Sequence, residues 1–160
     1  QELKLNFKKL HAHEIISRVV DNFRLQLEDK QGQIELTLNA KEDLVNADEV
    51  HFTNLISNLI DNAIKYSKEN LHIRVYTHCT HKHFIFRVED NGIGMSKESV
   101  KRIFEKFFRA HTGNIHNVKG FGLGMSYVKT VVDAHKGKIR VDSTLGKGSV
   151  FTVEVPVMRK

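Results

Sequence analysis

The stretch NLISNLIDNAIKYS, residues 54–67, constrains the fold more than any other part of the chain. At roughly 100° per residue, Leu55, Ile56, Leu59, Ile60, Ala63 and Ile64 cover one broad arc of a helix, and Phe52 extends that arc backwards. An apolar face this wide must lie against a core. Beside it, at four-residue intervals, stand Asn54, Asn58 and Asn62, with Lys65 in the same band and Tyr66 at the border. Asparagine is a mediocre helix former because its amide competes for backbone hydrogen bonds. Three on one stripe admit two readings. One is a polar border of the core. The other is a site where neutral oxygens and a lysine meet a metal and phosphates, since magnesium takes oxygen ligands and keeps waters and substrate phosphates in its shell.

The rest of the chain reads as alternating helices and strands. Residues 12–29 carry Ile15, Ile16, Val19, Val20, Phe23 and Leu27 on one side of a helix. QIELTLNA, 33–40, alternates like a strand with Ile34, Leu36 and Leu38 inward. LVNA is a short second strand, and Asp48 caps the asparagine helix. Residues 71–79 and 83–90 form a strand pair around THKH, a short helix follows near 96–103, and 121–135 is another helix. Two strands joined at TLGKG fill 138–156. Residues 109–120, RAHTGNIHNVKG, are polar and glycine-punctuated, and read as a mobile loop. This mixture predicts an α+β two-layer sandwich, a mixed and largely antiparallel sheet packed against helices. Residues 1–10 read as a linker or the end of a preceding domain, and 11–160 as one domain.

Composition narrows the function classes. The net charge of +6 is compatible with a polyanionic ligand, but no dense basic run supports nucleic acid. No apolar run approaches the ~20 residues that span a bilayer. The single cysteine, Cys79, excludes an internal disulfide and reads as a small packing residue. Together these point to a cytoplasmic domain, compatible with a membrane-anchored parent. His78, His81 and His83 bracket a hairpin turn and read as solvated, and no thiolate or paired-histidine spacing specifies zinc.

Two further stretches carry chemistry. In FIFRVEDNGIG, period two places Asp90 on the same face as Phe84, Phe86 and Val88. A carboxylate at the inward end of a core strand needs a partner. It either caps the turn or accepts a hydrogen bond from a ligand's amino group, which is specificity of the strong kind. Gly92 and Gly94 let the backbone turn and approach a ligand. In KGFGLGMS, Gly120, Gly122 and Gly124 precede a helix, whose first amides favour phosphate. The spacing is neither the dinucleotide fingerprint nor the phosphate loop, and the signature set of eukaryotic-type protein kinases is absent.

The order of these stretches is more informative than any one of them. NLISNLIDNAIKYS, DNGIG, IFEKFFR, KGFGLGMSYVK and GKGSVFTVEVP follow one another over residues 54–156. The series closely resembles the N, G1, F, G2 and final glycine boxes of the catalytic ATP-binding domain of bacterial sensor histidine kinases, a resemblance that covers roughly residues 12–156. Those domains share the Bergerat fold with gyrase, the ninety-kilodalton heat-shock chaperones and mismatch-repair ATPases. The resemblance implies ATP and Mg2+ as ligands. It places Asn58 and Asn62 on the metal side and gives Lys65 and Tyr66 contacts to phosphates and ribose. By the same resemblance Asp90 would accept the adenine amino group, with Gly92 and Gly94 beside it. Residues 104–109 would form a lid hinge from which Arg109 would reach phosphates. Lys119, Gly120, Phe121, Gly122, Leu123 and Gly124 would form the glycine segment of a lid over the triphosphate. Ser149, where the family usually has threonine, would support adenine through water.

The same resemblance separates transfer from hydrolysis. Gyrase and chaperone branches carry a water-activating glutamate four residues before the metal-side asparagine; here that position is Asn58, which cannot act as a base. The expected acceptor is a histidine of a dimerisation domain of the same parent, and the expected downstream partner a response regulator receiver domain. His13 in HEII lacks the following proline of the acceptor box, the chain's one proline being Pro156, and is expected on the surface of the first helix. The alternative is a nucleotide-dependent protein-binding switch or an anti-sigma-like serine kinase of the same superfamily.

Overall fold

The computed structural model describes residues 3–106, 108 and 124–158. The elements are β1 (Phe7–His11), α1 (Ala12–Glu28), β2 (Gln33–Leu38), β3 (Leu44–Asp48), α2 (Glu49–Lys65) and β4 (His72–Cys79). They continue with β5 (His83–Asp90), α3 (Lys97–Arg102), α4 (Gly124–Ala134), β6 (Lys138–Thr144) and β7 (Gly148–Pro156). Five strands form one sheet in the order β2-β4-β5-β7-β6, and β1 and β3 form a separate two-stranded sheet. Only the β2–β4 pairing in the large sheet is parallel, because α2 and β3 must be crossed between them. The others are antiparallel. This is the mixed, largely antiparallel sheet with helices that the periodicities predict.

Alternation along the strands builds the core. Phe84, Phe86 and Val88 of β5 face Phe151, Val153 and Val155 of β7, all buried. Opposite them lie Ile16, Val19 and Val20 of α1, the whole apolar arc of α2, and Val128, Val131 and Val132 of α4. Among the described residues Phe52, Phe84, Phe86 and Phe151 are the largest fully buried side chains, and truncating any one to alanine costs about 3–5 kcal/mol. The other sheet face stays charged, with Arg74 bridging Glu35 and Glu89.

Two expectations change. Leu38 is 36% exposed rather than inward. It ends an edge strand flanked by β4 alone, whose beginning is the part covered by α1, with Arg24 donating to the Ile34 carbonyl at 3.0 Å. His13 is half-buried rather than on the surface. Its Nε2 lies 2.9 Å from Thr77 Oγ1 and its ring meets Phe84 edge-on. Burial lowers the His13 pKa more than the nearby Asp43 charge raises it. Residues 7–10, within the stretch expected as linker, are already part of β1. The expected helix 121–135 is seen from Gly124 to Ala134.

Candidate nucleotide site

Asp48 fixes the start of the asparagine helix. Its carboxylate accepts from His51 N at 2.9 Å and from Asn6 N at 2.7 Å. Burial alone would raise its pKa, but those amides and the adjacent histidines outweigh burial and hold it below the usual range. A cap of this kind contributes about 1 kcal/mol. From it α2 runs with its apolar arc fully buried, Asn54 exposed, and Asn58 and Asn62 half-buried. The side-chain amides of Asn58 and Asn62 make no hydrogen bond to another described residue. Lys65 pairs with Asp61 one turn back at 2.9 Å, both about a third exposed, a contact worth a few tenths of a kcal/mol, roughly 0.3–0.5. That cation can change partner at little cost.

At the other end of the site, Asp90 is 8% exposed. Its Oδ1 accepts the Gly92 amide at 2.8 Å. Burial pushes its pKa up to about 6; the Gly92 and Ser149 amides oppose that shift, and the charge on Glu89 adds to it. The turn-cap reading of Asp90 is therefore correct as far as it goes. It leaves a buried, costly carboxylate at the mouth of a strand, held rigidly by backbone amides.

The turn after Asp90 docks on the end of the asparagine helix. Tyr66, the residue capping α2, accepts the Ile93 amide on its carbonyl at 3.0 Å. A Cβ on Gly92 would stand 2.3 Å from that same carbonyl oxygen. Gly94 has φ +70, and a Cβ there would lie 2.0 Å from the Thr144 carbonyl. The sterics that demand these glycines come from the protein's own backbone, whereas the sequence suggests close approach to a ligand. The β6–β7 turn completes the lock. Gly146 N donates to Ile93 O at 2.8 Å, and Lys68 reaches the Gly146 carbonyl at 2.5 Å.

Three residues in this lock escaped sequence reasoning. Asn91 accepts from His72 N at 2.8 Å and donates to Asn70 O at 2.9 Å, tying the strand end to the loop after α2. Gly148, with φ +125, packs where a Cβ would meet the Asp90 carbonyl at 2.0 Å. Ser143 accepts the Met95 amide at 2.8 Å, donates to Gly148 O at 3.0 Å, and lies 2.8 Å from Ser149 Oγ. The DNG triplet and the final glycine box were the available signals for Asn91 and Gly148. Nothing in the sequence singles out Ser143. Ser149 is buried and stands opposite Asp90 across the β5–β7 ladder, as its alternation predicts.

A depression of about 430 Å³ opens beside these strand ends, lined by Asp90, Ser149, Ser143, Glu89, Arg74 and Asp142 among others. Its charged lining belongs to the helix-free face, and none of Asn58, Asn62, Lys65 or Tyr66 borders it. Of the predicted site residues, Tyr66 joins the turn that carries Gly92 and Gly94 after Asp90, Ser149 stands opposite Asp90, and Asn58, Asn62 and Lys65 lie earlier on the same helix as Tyr66. Gly124 opens α4. Arg109, Lys119, Gly120, Phe121, Gly122 and Leu123, and the loop 109–120, lie outside the described residues.

The side-chain oxygens of Asn58 and Asn62 are neutral hard donors of the kind that Mg2+ accepts. Among the described residues, no cluster of three His, Cys, Asp or Glu side chains could hold a metal. Two amide oxygens leave most of an octahedral shell to be filled by other oxygen ligands, and magnesium ordinarily keeps waters and substrate phosphates there.

Comparison with known proteins agrees with this fold. Residues 47–159 match the family described as histidine kinase-, DNA gyrase B- and HSP90-like ATPase. The chain is 44% identical over 161 residues to sensor protein RprX of Bacteroides fragilis, covering 99% of the chain and 31% of RprX. It is 30% identical to sensor histidine kinase WalK of Bacillus subtilis, covering 98% of the chain and 26% of WalK. The chain thus spans less than a third of these relatives. Among solved structures, the mycobacterial sensor histidine kinase MprB superposes with a TM-score of 0.82 at 25% identity, covering 97% of this chain and 100% of that one. The catalytic domain of histidine kinase ThkA gives 0.79 at 26%, covering 95% and 98%. The chain belongs to the histidine kinase-, DNA gyrase B- and HSP90-like ATPase family, and its relatives place it among the ATPase domains of sensor histidine kinases.

Proposed function

We infer that this domain binds Mg2+-ATP and presents the γ-phosphoryl group to a histidine of a dimerisation domain in the same parent protein. A response regulator receiver domain would be the next acceptor. The observation that carries the reading is the docking of the Asp90 turn onto the C-terminal end of the asparagine helix. It joins the turn after the buried Asp90 carboxylate to the helix that carries Asn58 and Asn62, whose side-chain amides make no hydrogen bond to another described residue. Asp90 would select the base, Asn58 and Asn62 would hold Mg2+, and Lys65 and Tyr66 would meet phosphates and ribose. Arg109 and residues 119–124 would close over the phosphates, and Ser149 would support adenine through water. Bound Mg2+ supplies charge neutralisation at the phosphoryl group being transferred.

Two features favour transfer to another domain, the first over hydrolysis and the second over an acceptor within this chain. Asn58 offers no base to activate water. His13 is half-buried and bonded to Thr77, not offered to an incoming phosphate. Incubation with γ-labelled ATP, with and without the parent's acceptor domain, tests this. Acid-labile label should appear on the added domain and barely on this one. Fast phosphate release without label would instead indicate a hydrolase. Label on this chain that His13→Ala abolishes would overturn the acceptor assignment. Among the described residues no helix is long and apolar enough to cross a membrane.

A further inference from the structure

Helix α4 is fastened to the start of α2 by polar contacts at both of its ends. Just past its C-terminal end, His135 is 5% exposed. Its Nε2 accepts the Asp48 amide at 3.0 Å, and its Nδ1 donates to Val131 O at 2.8 Å. In the first turn, the Tyr127 hydroxyl lies 2.5 Å from His51 Nδ1 and accepts from Asn54 Nδ2 at 3.4 Å. The Tyr127 and His51 rings are tilted at 47° with centroids 5.8 Å apart.

These contacts do something that the apolar packing beneath cannot. Met125, Val128, Val131 and Val132 hold α4 on the core, but burial of apolar surface is non-directional and tolerates small axial shifts. A hydroxyl shared by two groups on a neighbouring helix does not, because hydrogen bonds weaken steeply with misalignment. Tyr127 sits three residues after Gly124, the last glycine of the KGFGLG run and the first residue of α4. Asn54 sits one turn before Asn58 on the asparagine stripe. The contact therefore spans the two elements assigned to phosphate.

We propose that Tyr127 is a positioning residue for phosphate recognition: through His51 and Asn54, its hydroxyl sets the register of the first turn of α4 against the asparagine stripe. This rests on the nucleotide reading above. Adenine recognition, which runs through Asp90 at the opposite end of α2, does not depend on it.

The test compares adenosine with Mg2+-ADP by titration of the wild-type domain, Tyr127→Phe, His51→Ala and the double variant. Tyr127→Phe should bind adenosine within about twofold of wild type and Mg2+-ADP about five- to tenfold more weakly, a loss of roughly 1–1.4 kcal/mol. His51→Ala should reproduce most of that loss, and the double variant should add little to either. The imidazole 15N shifts of His51 should change in Tyr127→Phe, reporting loss of the contact directly. Unchanged Mg2+-ADP affinity, an equal loss for adenosine and Mg2+-ADP, or additive losses in the double variant would each overturn the proposal. Wild-type protein that binds neither ligand would overturn the nucleotide reading itself, which separates the two failures.

Discussion

Two glycine-marked regions look alike in the sequence and differ in the structure. Around Asp90, a Cβ on Gly92, Gly94 or Gly148 would strike a backbone carbonyl within 2.0–2.3 Å. At the start of α4, a Cβ on Gly124 would meet nothing among the described residues within 4 Å. The first region is an interlock of three chain segments, made of α2's end, the turn after β5 and the β6–β7 hairpin. Its glycines exist because backbone packs on backbone. Gly124 meets no such backbone among the described residues. The lesson is that a glycine in such a box can be required by the protein's own backbone, as at Gly92, Gly94 and Gly148, and only the neighbours tell whether it is.

Substitutions sharpen that contrast. Gly94→Ala forces a side chain into positive φ and onto the Thr144 carbonyl, and should cost about 4 kcal/mol or more. Gly148→Ala should behave alike, for the same reasons at the Asp90 carbonyl. Urea unfolding would measure both, and wild-type midpoints would dissolve the interlock. Gly92→Ala, with its φ unstrained, should cost less, about 2–3 kcal/mol, chiefly by pushing the Asp90 turn off Tyr66. The same assay should rank it between Gly94→Ala and Gly124→Ala.

The electrostatics of the socket give a prediction of opposite sign. The Asp90 pKa stands at about 6 in the folded protein against 3.8 for the free group. The proton it retains favours folding below about pH 4, and that advantage is lost as pH rises through 6. At neutral pH the charged group thus costs at most about 3 kcal/mol. Asp90→Asn should therefore raise stability by about 1–3 kcal/mol at pH 7.5 and leave it unchanged at pH 4. Melting curves at the two pH values check this, and a destabilised variant at pH 7.5 would contradict it. Binding should respond in parallel. Adenosine carries no titrating phosphate, and should bind about tenfold more weakly at pH 5 than at pH 8, because Asp90 is then mostly protonated. A flat profile would remove Asp90 from base recognition. The smallest effect belongs to Gly124→Ala, which should shift stability by less than about 1 kcal/mol, and towards greater stability because alanine favours helix.

Local pattern made much of this legible. Period-two alternation placed Phe84, Phe86, Val88 and Asp90 on one inward face, and all four are buried. Helical spacing placed the asparagines beside the core arc of α2, and Asp48 caps that helix as its side-chain chemistry suggests. What was not legible depends on distant chain. The crowding at Gly94 comes from Thr144, and Ser143 matters through Met95 and Ser149. His13 is drawn inward by Thr77, sixty-four residues away in sequence. Leu38 is exposed because its strand is at an edge, which alternation within the strand cannot reveal. The strand Phe7–His11 has a single half-buried residue, Leu10, so no apolar period announces it; its existence follows from pairing with β3.

The central claim is that Asp90 and the asparagine stripe serve one magnesium-nucleotide site. Calorimetric titration of ADP into wild-type protein and Asp90→Asn, each with Mg2+ and with chelator, tests it most directly. Wild type should bind, and more tightly with Mg2+, while Asp90→Asn should lose about 100-fold in affinity and melt at no lower temperature than wild type. Equal binding by the two proteins, or no heat from wild type at any concentration of Mg2+, would contradict the account.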